Sequence, residues 1–142
     1  MAEAPTIQVD IVSAEGELFS GPATMVFAPA SQGELGIYPR HAPLLSLLKA
    51  GEVRVQSPDG EEHFFFVGGG ALEVQPRKVT VLADTALRAR DIDEAAALAA
   101  KQRAEEALRD RAGLMTLAEA QAELARAAAQ LRLLDKLRKL RG

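Results

Sequence analysis

Ile7, Val9 and Ile11 alternate with Gln8, Asp10 and Val12, a period near two that predicts a strand with one buried face. The same alternation returns at 78–83, where Val79, Val81 and Ala83 interleave with Thr80 and Leu82. Between them lie shorter runs suited to strands. Thr24–Ala28 is β-branched and aromatic, and it is expected to stop at Pro29, which has no N–H for a ladder. Val53 and Val55 flank Arg54 ahead of Ser57-Pro58-Asp59-Gly60, a strong turn sequence. His63–Val67 and Ala71–Gln75 are separated by Gly68-Gly69-Gly70, read as a tight turn or bulge between two strands. Many short strands punctuated by turns predict an antiparallel β-sandwich or a flattened barrel. So small a sheet needs a second layer to cover its apolar face.

From residue 91 the period changes. Proline is absent, glycine is rare and alanine dominates. Asp91-Ile92-Asp93-Glu94 has the form of a capping box, with Asp91 as the cap and Glu94 three residues on. It predicts a helix to about Arg111, ended by Gly113 in the left-handed conformation. Thr116-Leu117-Ala118-Glu119 opens a second helix that runs to about Leu140. Leu117, Leu124 and Leu131 recur every seven residues, with Ala120, Ala127 and Leu134 three places later. That is a narrow seam for a facing helix, and the short connection makes the pair an antiparallel hairpin. The fold class is therefore α+β by segregation, with a sandwich at 1–86 and a two-helix hairpin at 87–142. Alanine buries little area but has the highest helix propensity. The helices should persist while their docking stays weak. Periodicity leaves open whether the hairpin is a rigid cap or one that opens and re-docks.

Composition narrows the class. The 142 residues are 48% apolar and 26% charged, as in a globular protein. No run approaches the ~18 apolar residues of a membrane span, and residues 1–10 lack the basic start of a signal peptide. Without cysteine there is neither a disulfide framework nor a thiolate metal site. The expectation is a soluble cytoplasmic protein. A net charge of −3 hides an asymmetry: residues 1–86 carry −6 and residues 87–142 carry +3. Opposite signs point to two units with different partners.

Candidate chemistry is sparse. His41 and His63 stand alone, with no zinc spacing around either. Gly68-Gly69-Gly70 lacks the Lys-Ser or Lys-Thr of a phosphate loop, and a strand follows it rather than a helix. Glu61 and Glu62 point to opposite faces of a strand and cannot converge on one substrate. No serine lies in a Gly-x-Ser-x-Gly elbow. These patterns support no catalytic residue and no metal. The basic end, with Lys136, Arg138, Lys139 and Arg141, complements a helix dipole. It equally fits an acidic partner surface. Nucleic acid is disfavoured because no aromatic residue is interleaved to stack bases.

Four ordered motifs carry a resemblance. Val12-Ser13-Ala14-Glu15-Gly16-Glu17-Leu18-Phe19-Ser20-Gly21 is the first, and Gly33-Glu34-Leu35-Gly36-Ile37, continuing to Pro39 and His41-Ala42-Pro43-Leu44-Leu45, is the second. Leu72-Glu73-Val74-Gln75-Pro76 and Val79–Ala86 follow in order. Together they resemble the epsilon subunits of bacterial F-type ATP synthases over essentially the whole chain. The resemblance implies a non-catalytic central-stalk subunit of a proton-translocating enzyme. It would hold the gamma subunit to the membrane ring of c subunits and restrain ATP hydrolysis through its hairpin. It implies a ring-facing loop at Ser31, Gln32, Gly33, Glu34, Leu35 and Gly36, with His41 supporting that loop. Extended, the hairpin would bring Lys136, Arg138, Lys139 and Arg141 to the beta and alpha subunits. The chain would sit peripherally at the cytoplasmic face of the inner membrane, associated only through the complex.

Some family members bind ATP through Ile-Asp-x-x-Arg-Ala. Here Ile92, Asp93 and Ala97 match, but Ala96 stands in the arginine's place. Alanine offers no fork of donors for phosphate. A regulatory ATP site at Ile92, Asp93, Ala97 and Arg103 is expected to be weak at most, with Arg88 or Arg90 as further compensators. Gln32 for a usual glutamate and Gly68 for a usual serine are mild departures. Two rival readings remain: a stand-alone nucleotide-sensing module, which Ala96 opposes, and an enzyme on loop 31–43, for which only Glu34, Arg40 and His41 are offered.

Overall fold

The computed structural model describes residues 5–110 and 116–141. The chain divides into two compact units, 1–88 and 89–142, treated separately below.

The first unit is a sandwich-like sheet of eight strands. They are β1 (Ile7–Ser13), β2 (Gly16–Ala23), β3 (Met25–Ala30), β4 (Gly33–Ile37), β5 (Leu44–Gln56), β6 (Glu62–Val74), β7 (Lys78–Ala83) and β8 (Ala86–Arg88). The order is β2-β1-β7-β6-β5-β3-β4, with β8 added to β6. Every ladder is antiparallel except β1–β7, which is parallel. The alternation in β1 and β7 works as expected: Ile7, Val9, Ile11, Val79 and Val81 are fully buried. They share one core with Val26, Ile37, Val53, Val55, Phe65, Val67 and Leu72.

Several strands depart from the sequence reading. β3 continues through Pro29 to Ala30. The β3–β5 ladder shifts register between Phe27 and Ala30, so the missing N–H of Pro29 falls where no regular ladder bond is needed. Gly68-Gly69-Gly70 does not divide one strand from another: it lies inside the single thirteen-residue β6. At Gly70 φ is 132°, and an added Cβ would stand 2.1 Å from the Leu82 carbonyl oxygen. The glycines let a long strand bend against β7 without breaking, leaving 65–67 to pair β8 and 70–74 to pair β7. β2 and β4, unforeseen as strands, are the two edges of the sheet. Edges tolerate the glycine and proline that mask their pattern.

The second unit holds a 3₁₀ turn at Ala89–Asp91, α1 (Glu94–Asp110) and α2 (Leu117–Arg141), and the two helices pack together. The expected cap at Asp91 is corrected to Asp93. Asp91 ends the 3₁₀ turn, closed by Ile92 N–H donating to the Ala89 carbonyl at 3.2 Å, and Ile92 is buried. Asp93 Oδ1 then accepts the Ala96 N–H at 3.1 Å. The cap of α2 is at Thr116, whose Oγ1 accepts the Glu119 N–H at 3.1 Å. Arg111 and Gly113, named above for the end of α1, lie outside the described residues. Buried positions are Ala97 and Ala104 on α1, and Ala120, Ala127, Ala129 and Leu133 on α2. Of the expected seam, Ala120 and Ala127 are buried, whereas Leu117 is 62% exposed. Leu117 is the first residue of α2.

Candidate interaction surfaces

Ser31 and Gln32 form the exposed turn between β3 and β4. Gly33 to Gly36 belong to the edge strand β4 rather than to a loop. Along β4, Glu34 and Gly36 are exposed while Leu35 packs against the core. Gly36 makes room for neighbours: a Cβ there would stand 2.7 Å from Met25 Cε. His41 lies in the segment after β4. Its N–H donates to the Tyr38 carbonyl at 3.1 Å, and its ring Nδ1 stands 2.7 Å from the Ala42 carbonyl oxygen. A carbonyl oxygen only accepts, so this contact is a hydrogen bond in the tautomer that carries its proton on Nδ1. Ahead of it Arg40 adopts φ 68° and donates its N–H to the Pro76 carbonyl at 2.8 Å.

An apolar row crosses the outer face of the sheet. Leu47 lies opposite Ala71, Ala71 opposite Leu82, and Leu82 opposite Val12, spanning β5, β6, β7 and β1. Leu47 is 69% and Leu82 50% exposed, and Leu45, two residues along β5, is 74% exposed. Contiguous exposed apolar side chains on a sheet face are a feature of interaction surfaces. The backbone N–H of Ser31 donates to the Leu47 carbonyl at 2.9 Å, so the β3–β4 turn is fastened to this row. Beside it runs a polar row through Glu73, Thr80, Asp10 and Ser20. Asp10 accepts from Ser20 Oγ at 2.8 Å and from Gln8 Nε2 at 3.1 Å, and pairs with Lys78 Nζ at 3.0 Å. The Ser20 hydroxyl above all, with Gln8 and Lys78 adding, holds this carboxyl below the ordinary aspartate value of 3.8, against a partial desolvation that raises it.

In the helical unit the side chains singled out for nucleotide are already engaged. Asp93 caps α1, Ile92 and Ala97 are buried, and Arg103 pairs with Glu123 of α2. Arg88 donates to the Leu18 carbonyl at 2.7 Å within the sheet unit. The four basic residues of the C-terminal end fall on the last two turns of α2. Arg138 pairs across to Glu94 of α1, and Lys139 pairs with Asp135 one turn back at 3.1 Å.

Two family models tile the chain. The ATP synthase delta/epsilon chain β-sandwich domain matches residues 6–89, and the corresponding long α-helix domain matches residues 90–135. The chain belongs to the ATP synthase delta/epsilon family. It is 66% identical to the ATP synthase epsilon chain of Nitrosococcus oceani, over 98% of this chain and 99% of that one. It is 63% identical to the epsilon chain of Halorhodospira halophila, over 94% and 96%. As an epsilon chain it is a subunit of an enzyme complex. A chain of the mitochondrial ATP synthase OSCP/F1/c-ring assembly of Euglena gracilis shares the fold, with a TM-score of 0.74 at 18% identity, covering 96% of this chain and 84% of that one. Among the described residues no helix of this epsilon chain is long and apolar enough to cross a membrane.

Two features of the epsilon chain escaped the sequence reading. The outward row was signalled by Leu44-Leu45-Ser46-Leu47-Leu48, too apolar for a strand covered on one face only. The cross-helix pairs Glu94–Arg138 and Arg103–Glu123 depend on how the two helices meet, which the spacing of charges does not show.

Proposed function

We propose that this chain is a non-catalytic central-stalk subunit that couples the gamma subunit to the ring of c subunits and restrains ATP hydrolysis through its hairpin. The observation that carries the reading is the outward apolar row Leu47–Ala71–Leu82–Val12 on the family's sandwich domain. An in-register apolar strip with a polar row beside it suits a lasting protein–protein contact. We assign that strip to gamma. The Ser31–Gln32 turn, Glu34 and the exposed edge of β4 are assigned to the ring, in keeping with the c-ring named in the Euglena gracilis assembly. The subunit would be held peripherally at the cytoplasmic face of the bacterial inner membrane through these contacts alone.

The hairpin supplies the restraint. Its helices bury alanine almost exclusively, with Leu133 the one large side chain fully covered on either helix. Docking of that kind is weak per residue, so extension toward the alpha and beta subunits is accessible at modest cost. The basic end would then exchange Glu94 and Asp135 for acidic groups of the partner. ATP is at most a weak regulatory ligand, because Ala96 offers no phosphate donor and Arg103 is taken by Glu123.

The test is ATP hydrolysis by an alpha-beta-gamma assembly with the full-length chain and with a version ending at Arg88. Binding by both, with inhibition by the full-length chain alone, supports both halves of the reading. Equal rates with retained binding would remove the brake, and loss of all binding would remove the stalk role.

A further inference from the structure

We propose that a cleft at one end of the sheet unit binds a phosphoryl oxyanion, gripped by Arg40 and Arg77. The cleft measures about 770 Å³ and is walled by Pro22, Pro39 and Pro76, with both guanidinium-bearing residues on its lining. Its volume is that of a small-molecule site.

Charge argues first. Residues 1–86 carry −6 and hold five basic side chains, and two of those five line this one cleft. Lys78, beside Arg77, is engaged by Asp10 and Arg54 by Glu62. Arg40 and Arg77 make no ion pair and no side-chain hydrogen bond among the described residues, and both are exposed. Gln8, also on the lining, commits its amide nitrogen to Asp10 and Ser20. The two arginines are thus the cleft's available cationic donors. An anion in the cleft is attracted by both positive charges on its lining.

Geometry argues second. Arg40 is the one non-glycine residue with positive φ among the described residues, at 68°. That conformation is unfavourable for a side chain with a Cβ, and the bond from its N–H to the Pro76 carbonyl holds it there. The same bond ties the two arginine-bearing turns together. Proline walls have fixed φ and little freedom to lose on binding. Two guanidinium forks suit a phosphoryl group, which presents three oxygens and up to two charges, better than a single carboxylate. The source is either a soluble phosphate compound or the headgroup of an anionic lipid.

The experiment uses the full-length chain, labelled for amide NMR and titrated at low salt with inorganic phosphate. In parallel it is floated with phosphatidylglycerol vesicles and with phosphatidylcholine vesicles. Saturable shifts confined to the amides of Arg40, His41, Arg77 and Lys78 are expected with phosphate, absent with chloride at matched ionic strength. Arg40→Gly keeps the left-handed backbone and removes the guanidinium. It and Arg77→Gln are each expected to weaken binding about tenfold or more. Saturation by phosphate without vesicle binding assigns the site to a soluble compound. Arginine-dependent flotation with phosphatidylglycerol alone assigns it to a lipid headgroup. Absence of saturable binding to either probe, equal shifts with chloride, or both variants binding like the parent would overturn the proposal.

Discussion

At the scale of single residues, two positions show how local chemistry fixes this sheet. Asp10 has its carboxyl held low by the Ser20 hydroxyl first, then by Gln8 and Lys78. A carboxyl depressed on folding contributes stability above its unfolded value and loses it as the pH falls through the folded value. The contribution of Asp10 is therefore complete above about pH 5 and drains away below about 4. Ser20→Ala should raise the Asp10 value toward 3.8 and shift the acid unfolding midpoint upward, read by carboxyl NMR and by circular dichroism against pH. At Gly70, φ of 132° and an approach of 2.1 Å to the Leu82 carbonyl leave no place for a side chain. Gly70→Ala should cost about 3 kcal/mol or more in urea unfolding, by strain at a special backbone position. Arg40 is the mirror case. Arg40→Gly exchanges ~1–2 kcal/mol of left-handed strain for ~0.5–1 kcal/mol of chain entropy. It should leave stability unchanged or raise it by about 0.5 kcal/mol.

At the scale of elements, the strands that could be read from sequence are those whose one buried face shows. β1 and β7 alternate plainly because polar residues or threonine occupy most outward positions. β4 and β2 did not show, because Gly33, Gly36, Gly21 and Pro22 are cheap at an edge and blank the pattern. Gly68-Gly69-Gly70 misled for a related reason: glycine breaks most strands, but here it permits a bend that a continuous ladder needs. The first half of β5 was missed because Leu45 and Leu47 face outward, and an all-apolar stretch has no alternation. The cap of α1 slipped by two residues because Ile92, an apolar residue inside the apparent capping box, is drawn into burial by a 3₁₀ turn. In the hairpin, alanine contacts are supplemented by Glu94–Arg138 and Arg103–Glu123, which join the two helices near their open and connected halves. Ion pairs whose arginine is exposed to solvent contribute ~0.2–1 kcal/mol each. Glu123→Gln should speed amide exchange in α1 and α2 up to about fivefold, leave β1 and β7 unchanged, and lose its effect in high salt. Equal exchange in parent and variant at low salt would show that the pair does not hold the hairpin.

At the scale of the whole molecule, the two units differ in surface chemistry in the way that the proposed division between attachment and restraint requires. The acidic sheet unit sets two of its exposed leucines, Leu47 and Leu82, in one register, whereas the basic hairpin buries mostly alanine and joins its helices through the pairs Glu94–Arg138 and Arg103–Glu123. A surface built from outward leucines contributes nothing to the core beneath it. Leu47→Asp with Leu82→Asp should therefore leave the thermal midpoint within a few degrees of the parent, because neither side chain belongs to the buried cluster. The same pair should lower affinity for an alpha-beta-gamma assembly a hundredfold or more, about 3 kcal/mol, since two carboxylates would have to be dehydrated against an apolar partner. Glu34→Gln, on the edge strand, should leave that affinity unchanged and act only once the membrane ring is present. Surface plasmon resonance on the soluble assembly, followed by ATP-driven proton pumping in vesicles, distinguishes the two surfaces. If the leucine variants bind like the parent, the apolar row is not the gamma contact. The coupling surface must then be sought on the other face, where Arg54 stacks on Phe27 at 4.1 Å.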